Sequence, residues 1–352
     1  MTLGLNYLPA EKIGAVPPKF VARHEFCFYL HDMILHLLIE VENLKIRSGK
    51  FEISPSDQAI IQGTSEDFLD FLLKSDHRNQ ASRMLLNHVM VALVSDFLSF
   101  VYEGLIALSK RKFSVGFSLL RKPFKENLLH LSWMLADTVE YFEKFESSPA
   151  TLMESRKTDQ VARVKIIEKA IENCFIKDLF NAENIEKVIY DKNYDAGLAS
   201  LFDKATHLVT GARAIRTEPL NLNFIFKDPR DDDIFESAYS SISLVLMYAF
   251  TILSSELEKI TPIDTSYVRR RLLISFMVYQ SLFLKGPPKF YKALEKALGD
   301  LVKCSVCKSR YKAKKAAVPR LLISERFECP ECSSDVSFPI LWLMGQGDVE
   351  WL

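Results

Sequence analysis

Four cysteines near the end of this 352-residue chain set the tightest limit on what it can fold into. They run Cys304-Ser-Val-Cys307, and the chain returns with Cys329-Pro-Glu-Cys332. Two residues between cysteines place both thiolates of a pair on one tight turn, facing one ion. Two such pairs complete a tetrahedron, a geometry that Zn²⁺ accepts without resistance. With sulfur at all four corners no position is left for water or substrate, so a structural metal site is expected. A disulfide or a redox dithiol is the competing reading. A redox dithiol needs one pair beside a βαβ pattern, and the sequence has none.

Composition bounds the rest. An apolar fraction of 48% is enough for a sizeable core, and only 12 Gly and 14 Pro argue against a disordered or all-β chain. Lys+Arg and Asp+Glu are both 45, so the net charge is zero. A protein that grips a long duplex is basic overall, so any nucleic-acid contact must come from a local patch. Cys27 and Cys174 stand alone and read as small buried hydrophobes. No disulfide framework is needed, which fits a reducing, cytoplasmic compartment. The first ten residues lack the basic and apolar regions of a signal peptide. Residues 237–255 carry no charge and approach membrane-spanning length, but their many serines favour a buried helix, so no membrane partner is expected.

Read in order, residues 2–18 form an extended arm in which Pro9, Pro17 and Pro18 block helix. A helix is predicted over 20–46, where Phe26, Leu30, Ile34, Leu37, Val41 and Leu44 recur at three- and four-residue steps. Asp32, His36 and Glu40 share its opposite face, which favours a solvated stripe over a metal site. Thr64 is placed to cap a second helix, with Asp67 in the reciprocal position. Long helices over 80–110 and 113–137, separated only by Arg111-Lys112, are expected to form an antiparallel hairpin. Pro123 lies inside the second and should kink it, drawing the charged Arg121 and Glu126 together. Residues 139–191 are helical and charged, and their cations, Arg163 among them, read as a solvated face. Further helices are predicted over 196–209, 233–260, 265–284 and 288–302. No two-residue alternation is sustained before Val302, so no sheet is expected there, and no internal repeat is evident.

Around the cysteines, Phe327 and the alternating Val336, Phe338 and Ile340 read as β-structure. With Cys304, Cys307, Cys329 and Cys332 they resemble the zinc ribbons over residues 303–338. Lys303, Lys308, Arg310, Lys312, Lys314, Lys315, Arg320 and Arg326 outnumber Glu325, Glu328, Glu331 and Asp335, so the segment is locally basic. Four thiolates on one Zn²⁺ add about −2, which cancels part of that surplus. The helical body is similar to the HEPN-type proteins across residues 80–260, through its hairpin, the kink with Arg121 and Glu126, and His207 near Gly211. That family consists of helical bundles, usually dimeric, many of them RNases of toxin, defence and CRISPR-associated systems. Its signature, an Arg and a His with four to six residues between them, is matched by Arg83-Met-Leu-Leu-Asn-His88, with Met84 where the family carries a polar residue.

The expected architecture is mainly α: an arm (1–19), an all-helical HEPN-like domain (20–302), and a zinc ribbon with a hydrophobic tail (303–352) bearing Trp342 and Trp351. Two functions follow. One is a homodimeric binding protein whose ribbon contacts nucleic acid, RNA or DNA, or a protein partner, in a prokaryotic antiviral defence or stress system. The other, implied by the HEPN resemblance, is a ribonuclease with Arg121, Glu126 and His207 as its candidate polar site. No Gly-rich phosphate loop, nucleophile elbow or His-Glu zinc motif occurs, so neither NTPase nor metalloprotease chemistry is expected, and zinc is the sole cofactor expected.

Overall fold

The structure, a computed structural model, describes residues 4–63, 67–152, 159–211, 216–223, 232–260, 265–286, 288–299, 301–315 and 317–346. Its helices begin with α1 (Ala10–Ile13), α2 (Val21–Asn43), α3 (Pro55–Gly63), α4 (Phe68–Lys74), α5 (Arg78–Ser109) and α6 (Phe113–Lys122). They continue with α7 (Leu128–Ala136), α8 (Thr138–Ser147), α9 (Pro149–Leu152), α10 (Gln160–Glu172), α11 (Ala182–Tyr190), α12 (Ala199–Thr206), α13 (Asp233–Ile260), α14 (Thr265–Phe283) and α15 (Phe290–Leu298). The C-terminal part adds α16 (Ala317–Ser324), strands β1 (Arg326–Glu328) and β2 (Asp335–Ser337), and α17 (Ile340–Gln346). The fold is mainly helical, and the described residues before Val302 contain no strand.

Helix α13 is buried around nearly its whole circumference, against α2, α7, α11 and α14. Several of its hydroxyls are tolerated because they bond to backbone. Thr251 and Ser254 donate to the carbonyls of Met247 and Phe250, four residues back, at 2.9 and 2.6 Å. Ser241 donates to the Ala196 carbonyl at 2.5 Å. A hydroxyl satisfied in this way avoids the cost of burying a bare polar group. Helices α5 and α13 are both long and apolar enough to cross a membrane, and 83% of the α13 window is buried inside the fold against 44% for α5. In α13, therefore, packing accounts for the charge-free run.

The predicted hairpin is α5 against α6, turning at Arg111 in the left-handed region. The two helices cross at paired glycines. A Cβ on Gly116 would stand 2.8 Å from Leu108 Cδ2 and 3.2 Å from the Gly104 carbonyl, so Leu108 would have to shift to admit it. Pro123 does not break the helix. The chain absorbs the missing N–H in a π-turn, Pro123–Asn127, in which the Leu128 N–H donates to the Pro123 carbonyl. The expected ion pair between Arg121 and Glu126 does not form, and Arg121 Nε is buried without a partner. Charge pairing at the turn goes to α5 instead: Lys122 meets Asp96 at 2.8 Å, and Asn127 donates to the same carboxylate at 2.8 Å.

Two further expectations are corrected. Arg163 is not on a solvated face. Its guanidinium bonds Glu186 at 2.7 and 3.0 Å, stacks 4.4 Å from the Tyr190 ring, and holds α10 to α11. Glu186 is only 1% exposed, because Tyr190 and the neighbouring helices cover it. Replacing Arg163 by Ala leaves that carboxylate uncompensated and is expected to cost about 3 to 5 kcal/mol in denaturant melts, with Arg163→Lys intermediate. An unchanged midpoint in the Ala variant would show that solvent reaches Glu186.

The arm, too, is not extended throughout. After Pro9, whose missing N–H is harmless at a helix start, it turns into α1, and Pro18–Phe20 forms a 3-10 turn leading into α2. The buried carboxylate of Glu25 fixes its path, accepting from the backbone N–H groups of Leu5, Tyr7 and Leu8, the last two at 2.8 and 3.2 Å. Asp32 is drawn from the predicted solvated stripe to bond Tyr7 Oη at 2.7 Å and His31 Nδ1 at 2.8 Å, while His36 and Glu40 stay exposed. Asp67 caps α4 by accepting from the Leu69 N–H at 3.0 Å, and Thr64 lies outside the described residues.

Candidate metal centre

The segment around the cysteines folds as two copies of one turn. In each, the N–H of the first cysteine donates to the carbonyl five residues on: Cys304 to Ser309 and Cys329 to Ser334, both at 2.9 Å. In each, the carbonyl of that cysteine accepts from the residue four on: Lys308 N at 3.0 Å and Ser333 N at 2.9 Å. That fourth residue is left-handed in both, with φ 61° at Lys308 and 57° at Ser333. Flanking residues pair antiparallel in the same register, Lys303 with Arg310 and Glu328 with Asp335. The turns therefore repeat as Val302 to Tyr311 and Phe327 to Val336, with apolar residue, cysteines, serine and apolar residue at matching positions. Sequence reading found the cysteines but not this repeat. The serine two places after each second cysteine was the available signal.

The repeat brings the four sulfurs within 4.8 Å of one another. Cys304 Sγ lies 3.6 Å from Cys332 Sγ, and Cys307 Sγ lies 3.6 Å from Cys329 Sγ. A disulfide holds its sulfurs at about 2.05 Å, so none of these contacts is one. A tetrahedron with metal–sulfur bonds of about 2.3 Å has edges of about 3.8 Å, which these separations approach. These contacts join the two turns in one cluster, as a shared ion requires and a redox dithiol confined to one pair does not. Four cysteines thus form a site able to hold a metal ion. Cys304 and Cys329 are buried, whereas Cys307 and Cys332 face solvent.

Hydroxyls tune the thiols. Ser309 Oγ lies 3.1 Å from both Cys307 Sγ and Cys329 Sγ and pulls the Cys329 thiol down to about 6. Ser334 Oγ lies 3.2 Å from Cys332 Sγ and holds that thiol below its ordinary value. A group that favours the thiolate favours a metal ligand.

The module is fastened to the body. Buried Arg320 donates to Asp335 Oδ1 at 3.1 Å, and Arg326 takes the other carboxylate oxygen at 2.8 Å. With its amide oxygen turned toward Arg320, Asn6 of the arm accepts from the same guanidinium, at 3.2 Å from Nε. Helix α16 packs on α14, and Tyr311 meets Phe327 with ring centroids 5.0 Å apart. Ile340 of α17 is buried and Trp342 is exposed, while Trp351 lies outside the described residues.

The other candidate residues do not converge among the described contacts. Arg121 and Glu126 flank or occupy the π-turn, half-buried and not bonded to each other. His207 is exposed at the end of α12. That helix runs antiparallel to the α6 path, since the Ala205 carbonyl meets Ser118 and Phe202 meets Phe124. His207 therefore points away from the Glu126 end.

Searched against known proteins, the chain matches no family model, no curated protein and no solved structure.

Proposed function

We propose that the protein is a helical binding protein whose C-terminal zinc ribbon, held by one structural Zn²⁺ on Cys304, Cys307, Cys329 and Cys332, contacts nucleic-acid phosphates. The donor set supports zinc: four thiolates in a closed tetrahedron suit a structural site of this metal and leave it no open position for catalysis. The observation that carries the reading is the split of charge between the two turns. Two of the three carboxylates of the second turn are paired, Glu331 with Lys312 and Asp335 with Arg320 and Arg326. In the first turn Lys303 and Lys308 are exposed, and no carboxylate among the described residues lies within ion-pair distance of either. A ribbon that pairs most carboxylates of one half and leaves lysines of the other unpaired presents a small basic patch on a chain of zero net charge, which is what local phosphate contact needs.

Fluorescence anisotropy with labelled RNA and DNA oligonucleotides tests this. The Lys303→Gln, Lys308→Gln double variant should weaken binding about equally for all sequences and lower the salt slope by about 1 to 2. Binding of the parent with no loss in the variant would move the contact elsewhere, and no binding at low salt would sink the reading. The ribonuclease alternative needs Arg121, Glu126 and His207 in one site, and their separation supports binding over catalysis.

A further inference from the structure

Glu256 is the least compensated carboxyl group among the described residues. It is 7% exposed, and its Oε2 is buried without a hydrogen-bond partner. It sits near the C-terminal end of α13, where the helix carbonyls disfavour negative charge. Burial pushes its carboxyl above the ordinary value. Lys259, one turn on, donates to the Leu135 carbonyl at 3.2 Å instead of bonding it. Such a placement costs stability, and the nearby charge of Lys259 offsets it only in part, since burial outweighs it.

Glu256 lines a cleft of about 400 Å³ between the start of α5, the α7–α8 corner and the end of α13. Leu86, Met90, Met134 and Phe142 supply its apolar walls, and Arg78 and Arg83 line it from α5. Arg78 is committed to Glu146 through bonds of 3.0 and 2.7 Å. Arg83 is exposed, with no carboxylate among the described residues within ion-pair distance. The volume falls in the range of small-molecule sites, about 300 to 1,000 Å³.

The lining decides the chemistry of the occupant. A simple cation finds the carboxylates Glu143 and Glu256 outnumbered by Arg78, Arg83 and Lys259. A simple anion leaves Glu256 unsatisfied, and so does a hydrocarbon. We propose that the cleft binds a small amphoteric molecule, with an N–H donor group on Glu256, an anionic group on Arg83 and an apolar or aromatic body between them. Two sources share that chemistry. A mononucleotide offers the N–H edge of its base and a phosphate, and an apolar amino acid offers an ammonium and a carboxylate.

Titration calorimetry on the full chain separates them, with AMP, GMP, CMP and UMP in one arm and leucine, methionine and phenylalanine in the other. One arm is expected to bind with Kd at or below about 1 mM. Arg83→Gln should weaken it at least about tenfold. Glu256→Met should abolish binding and raise the melting midpoint by a few degrees, because removing an unpartnered buried carboxyl relieves the fold. A carboxyl kept for structure would give the opposite sign in the melt. The proposal is overturned if neither arm binds, if binding survives either substitution unchanged, or if Glu256→Met lowers the midpoint.

Discussion

Cys329→Ser is expected to release the metal, disorder the segment from about Val302 onward and leave the signal of the long helices nearly intact. The reason lies in where the folding energy of the module comes from. Its sheet is two strands of three residues, β1 and β2, far below what stands alone in water. Metal binding of roughly 10 to 16 kcal/mol is folding energy for such a module. Cys329 is the ligand to remove, since it is buried, lies against Ser309 and Cys307, and directly follows β1. Serine keeps the volume and loses the thiolate. Metal analysis of freshly purified, reduced parent should give about one zinc per chain, and less than half of that in the variant. Retention of a full equivalent by the variant would mean that the four sulfurs are not one site.

The loss should also travel. When the segment disorders, Arg320 leaves its buried place with Asp335, and Asn6 of the arm loses the guanidinium it accepts from. Limited proteolysis of the variant should therefore open the arm around Asn6 as well as the ribbon. Cleavage confined to residues beyond Val302 would show that arm and ribbon are independent.

The parts of this protein legible in sequence are those set by period and spacing. The runs Leu86 to Leu108 and Phe235 to Leu257 repeat at helical steps, so their helices were expected close to where they lie. The cysteine spacing likewise pointed to one four-sulfur cluster. What stayed hidden depends on partners far along the chain. Arg163 carries no sign of Glu186, because a charged residue reads the same whether its partner is water or a carboxylate. Arg121 and Glu126 looked paired because a kink was expected at Pro123. A π-turn instead absorbs the missing N–H and turns Asn127 and Lys122 toward Asp96. Glu256 reads as an ordinary helix-end residue until the helices close over it. The repeated turn escaped notice because its register is written in backbone bonds, with only Ser309 and Ser334 to mark it.

Acid should unfold the helical body through two buried histidines. His24 is enclosed between Tyr239 Oη at 2.8 Å and the Lys12 carbonyl at 3.2 Å, and burial pulls its ring down to about 4. His130 packs against the Tyr141 ring, its Nδ1 has no partner, and burial lowers it to about 4 as well. In the unfolded chain each ring takes its proton near the ordinary value of about 6.5. Between those values the unfolded state holds more protons than the folded one, so stability falls as pH falls. The contribution is whole above about pH 6.5 and lost by about pH 4, at roughly 3 kcal/mol per ring. Thiolate protonation also releases metal in this range, so the parent alone is ambiguous. His130→Leu resolves it, because that ring makes no bond to lose and the variant keeps every cysteine. Urea unfolding at about pH 7.5 and about pH 4.5 should show the variant gaining on the parent by about 2 to 3 kcal/mol at the lower pH. Metal release is common to both chains and cancels in the difference. A difference that does not change with pH would mean that His130 takes up its proton without cost inside the fold.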